Sequence, residues 1–560
     1  MTFDASTYEN FIAAQSLAQL RLFAQYQGSR TDFDIVVIGS GIGGGVLADD
    51  VADRLGQQKR ILVVEAGSYL FPTHVFNICR FPNAEVASKF ACKTFWQWGD
   101  GGSQRYIHER PQLNFGGRSI FWSGLIPAIQ PWELAFFPQR VRDDLAAGLL
   151  EAAGETMNES VTMGKTAQAI VAELRQGPLA QDFDIRETPR ALHQPYLTRE
   201  GQPRDRFFVE ATGVFNTAEL LINQAGLTRG VSQGDGPGMH LLLNHYVEDV
   251  RNAPGDRFEL VARNTLSGEA RFFQAGTVVL AGGSIESPKL LRRSSLFGSL
   301  PGPVQALVGR GLTDHPTTDW IGTLATSIGA VPIPKDSHAK IVFYSRGRRD
   351  GQNRIVYPFN VEMNVNHEYW HLRENDPSAP GAPIDTSAAS IVELKFSFGN
   401  CLDNGNEVKQ APPFGYVPEL SFKNLNWMDD LVGSRFPSLA GWRKSYDEVF
   451  GVLNQIAQQV CAQFRHNGDA CQPLDGSWYG QNQKDFGFGT VHHAVGTLRM
   501  PHRARYDGPI ESDSVVDEDL RVIGTQHLYA CDMSVMPFSS AANPVRTLVA
   551  LALRLSKHFG

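Results

Sequence analysis

Cysteine is scarce: the 560 residues contain six. Cys79, Cys92, Cys401, Cys461, Cys471 and Cys531 form no C-x-x-C pair. That spacing excludes a disulfide scaffold and a structural zinc site, and leaves buried, reduced thiols as the expectation. No apolar run approaches the roughly 18 residues that a membrane span needs. The first 28 residues lack a basic start and a long apolar stretch, since Glu9, Gln15, Gln19 and Arg21 interrupt them. They read as an N-terminal helix (1–30) and not a signal peptide, which makes a cytoplasmic location the expectation. Neither charge sign dominates, with 51 Lys plus Arg against 59 Asp plus Glu. A formal charge of −8 gives no general pull toward nucleic acid. Repeats and low-complexity tracts are missing too. The 42% of hydrophobic and 20% of charged residues are ordinary globular usage, with ample material for a large core.

What is present begins at Asp32. DFDIVVIG is a short β-branched apolar run, GSGIGGG a glycine turn, VLADDVADRL a helical stretch and RILVVEAG a second buried strand. Gly39, Gly41 and Gly44 make G-x-G-x-x-G between strand and helix. The first glycine permits the tight turn, the second lets backbone approach a pyrophosphate, and the third allows close helix packing. Phosphate then sits at the helix N-terminus, where free N–H groups and the dipole favour it. Glu65 follows the second strand, placed to accept hydrogen bonds from both hydroxyls of a ribose. Strand, turn, helix and acid in this order point to an adenine dinucleotide, with NAD and FAD both open.

The rest of the chain alternates in character. AGTVVLAGGS lies in a second αβ region over about 205 to 315, and the last part ends in a helix from Val545 to Lys557. In SIVELKFSF (390–398), Val392, Leu394, Phe396 and Phe398 share one face, with Ile391, Glu393, Lys395 and Ser397 on the other. That is the alternation of a half-buried antiparallel strand. RIVYPFNVEM (354–363) reads as its neighbour, with the proline marking an edge or a break. Val449, Leu453, Ile456 and Val460 repeat at helical spacing within 443–464. Residues 374–390, rich in Pro, Ser and Ala, read as a long exposed loop, and a substrate gate is the sharper alternative.

Five further segments occur in a fixed order: LNFGGRSIFWSG (113–124), VVLAGGSIESPKLL (278–291), GRGLTDHP (309–316), VHHAVGTLRM (491–500) and LYACDMSVMPFSSAANP (528–544). With the glycine turn, they resemble the glucose–methanol–choline (GMC) family of FAD-dependent oxidoreductases, and more closely its pyranose oxidase branch. The resemblance implies an α/β fold: a Rossmann-like FAD-binding domain (31–125, 205–320 and 486–560) interleaved with a mainly antiparallel-sheet substrate-binding domain (126–204 and 321–485). It also implies that Gly116, Gly117, Arg118 and Ser119 run along the pyrophosphate and flavin. Val247 then contacts adenine through its backbone, and Asp532, Met533 and Pro544 complete the cofactor site. The Asp314–His315 pair is assigned a turn-forming role only.

Phe121 stands where pyranose 2-oxidases carry a flavin-linked histidine. A phenyl ring cannot form that bond, so the FAD is expected to be non-covalent. The resemblance places His493, in H-x-x-G-T, and Asn543 at the reactive edge of the flavin. Imidazole, with a reference pKa near 6.5, can remove a hydroxyl proton as hydride leaves for the flavin. An amide cannot be a base but can hold the substrate oxygen. Asn543 also suits a helix cap. Among Trp96, Trp98, Trp122 and Trp370, Trp122 is the candidate for stacking on a sugar ring. The implied reaction is oxidation of a secondary hydroxyl in a sugar, glycoside or related alcohol to a ketone. Electrons then pass to O2, giving H2O2, or to a quinone-like acceptor. The alternative is a hydroxynitrile-lyase-like FAD protein without net redox.

Overall fold

The computed structural model describes residues 26, 28–69, 74, 97–98, 112–160, 165–191, 213–229, 235–335, 339–351, 355–366, 389–410, 418–421, 446–473, 492–503 and 509–559. The expected N-terminal helix, Cys79, Cys92, Trp96, Trp370 and nearly all of the loop 374–390 lie outside the described residues, as does the side chain of Trp98. In chain order the principal elements begin with β1 (Asp32–Ile38), α1 (Ile42–Leu55) and β2 (Arg60–Val64), and after several short helices between Pro131 and Leu174 come β3 (Phe183–Glu187) and α2 (Thr217–Arg229). There follow β4 (Gly238–Leu242), β5 (His245–Ala253), β6 (Arg257–Asn264), β7 (Ala270–Leu280) and α3 (Gly283–Arg293). The chain continues with β8 (Thr317–Ala325), β9 (Ala339–Ser345), β10 (Phe359–Val365) and β11 (Ser390–Phe398). It closes with α4 (Tyr446–Cys461), β12 (Leu528–Ala530) and α5 (Val545–Ser556).

A seven-stranded sheet runs β4-β2-β1-β7-β6-β5, with β12 beside β7. The strands β4, β2, β1, β7 and β12 are parallel, and β6 pairs antiparallel with both β7 and β5. All five residues of β2 are buried, as a strand covered on both faces requires. The register aligns Val64, Ile38, Leu280 and Ala530 across four adjacent parallel strands. The segments leaving these strands, at Glu65, Gly39, Ala281 and Cys531, therefore emerge together at one sheet edge. Chain order reverses here, with β2 on one side of β1 and β7 on the other, and α/β sheets bind ligands at such points.

Helix α1 starts at Ile42, earlier than the apolar run suggested, and takes in three glycines. Close packing explains them: a Cβ at Gly43 would lie 2.1 Å from the Cys531 oxygen, and one at Gly45 2.6 Å from Thr217 Cβ. Helix α5 packs against α1 and is buried from Arg546 to Ser556. Its two arginines are paired there, Arg546 with Glu159 and Arg554 with Asp144 and Asp519.

A second, five-stranded antiparallel sheet runs β8-β11-β10-β9-β3. The expected pairing of 390–398 with its neighbour is present, Val361 opposite Phe396 and Met363 opposite Leu394. Strand β10 begins just after Pro358 and is internal, so the proline marks a break and not an edge. Val392, Leu394, Phe396 and Phe398 enter a second hydrophobic core with Trp320, Met363, Phe343 and Phe183. Val449, Leu453, Ile456 and Val460 of α4 cover it. The opposite face differs from the half-exposed one expected. Ile391 and Ser397 are buried and Glu393 and Lys395 half-buried, so this face also looks inward. Cys401, Cys461, Cys471 and Cys531 are free, buried thiols, in line with the cysteine spacing.

Candidate functional site

The glycine turn is closed on its protein side and open on the other. Gly39 has φ +112°, and a Cβ there would lie 2.3 Å from the Ala281 oxygen. At Gly44 a Cβ would lie 2.3 Å from the Gly39 oxygen, whereas at Gly41 it would meet nothing within 4 Å. Gly41 is the N-cap of α1 without a side-chain cap, and the first turn holds no acidic residue. The uncapped N–H groups at an open helix start fit a phosphate-bearing dinucleotide. Gly117, at φ +53°, brings the second glycine loop against Gly41; its own Cβ would stand 3.2 Å from Gly41 Cα.

Ser40, which the sequence analysis did not single out, ties these loops together. Its N–H and hydroxyl donate to Glu65 Oε2 at 3.1 and 2.7 Å, and its hydroxyl accepts from Gly116 N–H at 3.0 Å. Gly67 N–H donates to Glu65 Oε1 at 2.8 Å. These donors, with the Ala66 backbone N–H, fix the carboxylate beside the glycine turn. Burial raises the Glu65 pKa, against the pull of these donors. The Ser119 hydroxyl faces the protein, donating to the Gly116 oxygen at 2.6 Å and accepting from Thr217 N–H at 3.0 Å. Arg118 reaches the far side of the site, donating to the His492 oxygen at 3.0 Å.

Val247 is buried in the first core, on a strand whose first residue, His245, donates its N–H to the Glu65 oxygen. Asp532 accepts from Gly283 N–H and Ser534 N–H at 2.8 Å each, and from the Ser287 hydroxyl at 2.5 Å. It thus fixes the start of α3 and the turn carrying half-buried Met533. Pro544 is the N-cap of α5, which has no side-chain cap, so Asn543 does not cap that helix. Half-buried Asn543 makes no side-chain hydrogen bond among the described residues. Trp122 packs beside the first core with its indole N–H on the Phe215 oxygen at 2.8 Å.

His493 meets a residue that the sequence analysis gave no chemistry. Its Nδ1 lies 2.8 Å from His315 Nε2, and His315 Nδ1 lies 2.9 Å from the Ser540 oxygen. The backbone explains the meeting. Thr313 and Val495 pair as an antiparallel bridge, and the next opposed positions, two residues on and two back, are His315 and His493. Burial, then the charges of His315, Lys395, His492 and Arg118, hold His493 well below the ordinary imidazole range. Burial and Lys395 push His315 down to about 3. Both rings are neutral near pH 7.

The segment following Met533 carries Ser540 and Asn543 and is pinned on two sides. Ser539 exchanges backbone bonds with Asn400 at 2.7 and 2.9 Å. Ala541 N–H donates at 2.6 Å to Glu133, a fully buried acid whose pKa is raised to about 7 by burial. Lys395 lies on the inward face of β11, with Asp319 of β8 and Glu362 of β10 opposite it on either side. Among the described residues, Lys395 makes no ion pair within 4 Å. The geometry can hold a dinucleotide at the sheet edge and present an unprotonated imidazole beside it.

Residues 453–552 match the sequence model described as GMC oxidoreductase. An uncharacterized GMC-type oxidoreductase y4nJ of Sinorhizobium fredii is 24% identical over 94% of both chains. The oxidoreductase cicC of Emericella nidulans is 43% identical over 68 residues, 12% of this chain and 10% of its own. The crystal structure of pyridoxine 4-oxidase from Mesorbium loti superposes with a TM-score of 0.58 at 15% identity, covering 94% of this chain and 99% of that one. Among the described residues no helix is long and apolar enough to cross a membrane.

Proposed function

We propose that the protein is a GMC-type, FAD-dependent oxidoreductase acting on alcohols, and that its substrate is a secondary hydroxyl of a sugar, glycoside or related alcohol, as in the pyranose oxidase branch. The observation that carries the reading is His493: half-buried, neutral, and with its Nδ1 committed to His315. Its other nitrogen takes the hydroxyl proton as the carbonyl forms. Asn543, with its amide unengaged by the described residues, holds the substrate oxygen. Bound FAD, cradled by Gly39, Gly41, Gly44, Glu65 and the 116–119 loop, supplies the hydride acceptor. Phe121, half-buried at the end of that loop, offers no nucleophile to the flavin, which supports non-covalent binding. The charged row Asp319–Lys395–Glu362 supports a ligand rich in hydroxyl groups. Electrons leave to O2, giving H2O2, or to a quinone-like acceptor.

The test is the visible flavin spectrum during anaerobic addition of pyranoses, glycosides and simple secondary alcohols, followed by air. Bleaching by a sugar, with the matching ketone as product, is the expected result. Colour returning rapidly in air identifies O2 as the acceptor, and persistent bleaching a quinone-like one. Cyanohydrin cleavage with a flavin that stays oxidised would overturn the reading in favour of a lyase.

A further inference from the structure

We infer that His315 is a positioning residue that fixes His493 in the one neutral tautomer able to take a proton from substrate. The inference rests on the reading of His493 as the base. It starts from the end of the chain that has no choice. The Ser540 oxygen is a carbonyl and can only accept, so His315 Nδ1, 2.9 Å away, carries the hydrogen. A neutral ring protonated at Nδ1 has its lone pair on Nε2. That nitrogen faces His493 Nδ1 at 2.8 Å, so His493 Nδ1 is the donor. His493 Nε2 is then the lone-pair nitrogen. The reverse assignment sets a ring lone pair against a carbonyl lone pair at 2.9 Å in a site with no solvent to relieve it, since His315 is 2% exposed.

Every link in this chain is held. His315 N–H donates to Asp314 Oδ1 at 2.7 Å, and Asn400 Nδ2 donates to the Asp314 oxygen at 3.1 Å. The same Asn400 pairs through its backbone with Ser539, next to the Ser540 carbonyl that starts the relay. Asn543 lies three residues further on, so one rigid segment sets the tautomer of His493 and positions the second candidate for the substrate oxygen. Groups acting only through another residue's tautomer can carry large rate effects without touching substrate.

The experiment uses the flavin-loaded protein labelled with 15N-histidine, with the His493 resonances identified by their loss in His493→Ala. The wild-type spectrum is expected to show His493 protonated at Nδ1 and bare at Nε2. In His315→Leu the two tautomers should mix, and anaerobic flavin reduction should slow by roughly 10²-fold while substrate affinity changes less than about threefold. His315→Gln offers an amide oxygen to His493 and an N–H to Ser540, and should recover to within about tenfold of wild type. Protonation at Nε2 in the wild type would overturn the inference. So would a His315→Leu variant that reduces flavin at the wild-type rate, or a flavin-loaded His315→Gln as slow as His315→Leu. A wild-type His493 protonated at Nδ1, beside a His493→Ala variant that still reduces flavin, removes the base reading and leaves the tautomer assignment standing.

Discussion

His493 sits among positive charges, and that decides its protonation before any substrate arrives. Burial and the neighbouring Lys395 and Arg118 disfavour the imidazolium, so the folded-state pKa lies below the ordinary 6.5. The neutral form, the one proposed to act as base, therefore persists on acidification through pH 6.5. The acidic limb of a kcat/KM profile measured on an alcohol without ionisable groups should fall below that value; a limb at or above 6.5 would contradict the geometry. Glu133 runs the other way. Its folded pKa of about 7 lies above the reference of 4.5, so its penalty is complete above pH 7 and disappears as pH falls toward 4.5. Glu133→Gln keeps an oxygen for Ala541 N–H and removes the buried charge, at the cost of the long 3.4 Å bond that Glu133 Oε2 accepts from Gln130 N–H. It should raise unfolding stability by about 3 kcal/mol at pH 8 and by little at pH 5, read from denaturant melts at the two pH values.

At the scale of the element, the glycine turn separates folding from binding. Gly41→Ala adds its methyl to open space, and should leave the apoprotein melt unchanged while weakening FAD binding roughly 10–100-fold in a fluorescence titration. Gly44→Ala drives a methyl into the Gly39 oxygen and Ala281, and should cost about 1–3 kcal/mol of apoprotein stability. Equal effects from the two variants would deny the open side of the cradle. This unit was legible in the sequence because strand, turn and helix are consecutive and each glycine acts within a few residues. Strands β10 and β11 were legible for a similar reason, their period-2 pattern being local. The start of α1 was not, because what lets glycines stand in a helix is close packing against Cys531 and Thr217, far along the chain.

Across the whole molecule, long-range pairing decides what the sequence conceals. The His493–His315 contact joins residues 178 apart, and the Ala541–Glu133 bond residues 408 apart. No local spacing signals either one, and DHP by itself reads as a turn. The charged face of the second sheet was hidden for another reason. Alternation separates two faces of a strand, but only the packed sheet shows that the polar face is also turned inward. Cofactor binding is the molecule's global stabiliser in this account. On the proposal that the FAD is held without a covalent bond, acid precipitation should release the yellow colour to the supernatant. FAD at 100 times its Kd should stabilise the apoprotein by about 2.7 kcal/mol in a thermal melt. Colour fixed in the washed pellet would contradict non-covalent binding.

The most direct test of the central claim is the anaerobic flavin-reduction rate of wild type and His493→Ala, both loaded with FAD, on the sugar or alcohol that bleaches the wild type. A fall of about 10²–10⁴-fold is expected in the variant, with the flavin spectrum and cofactor content unchanged. A variant that reduces its flavin at the wild-type rate would contradict that claim.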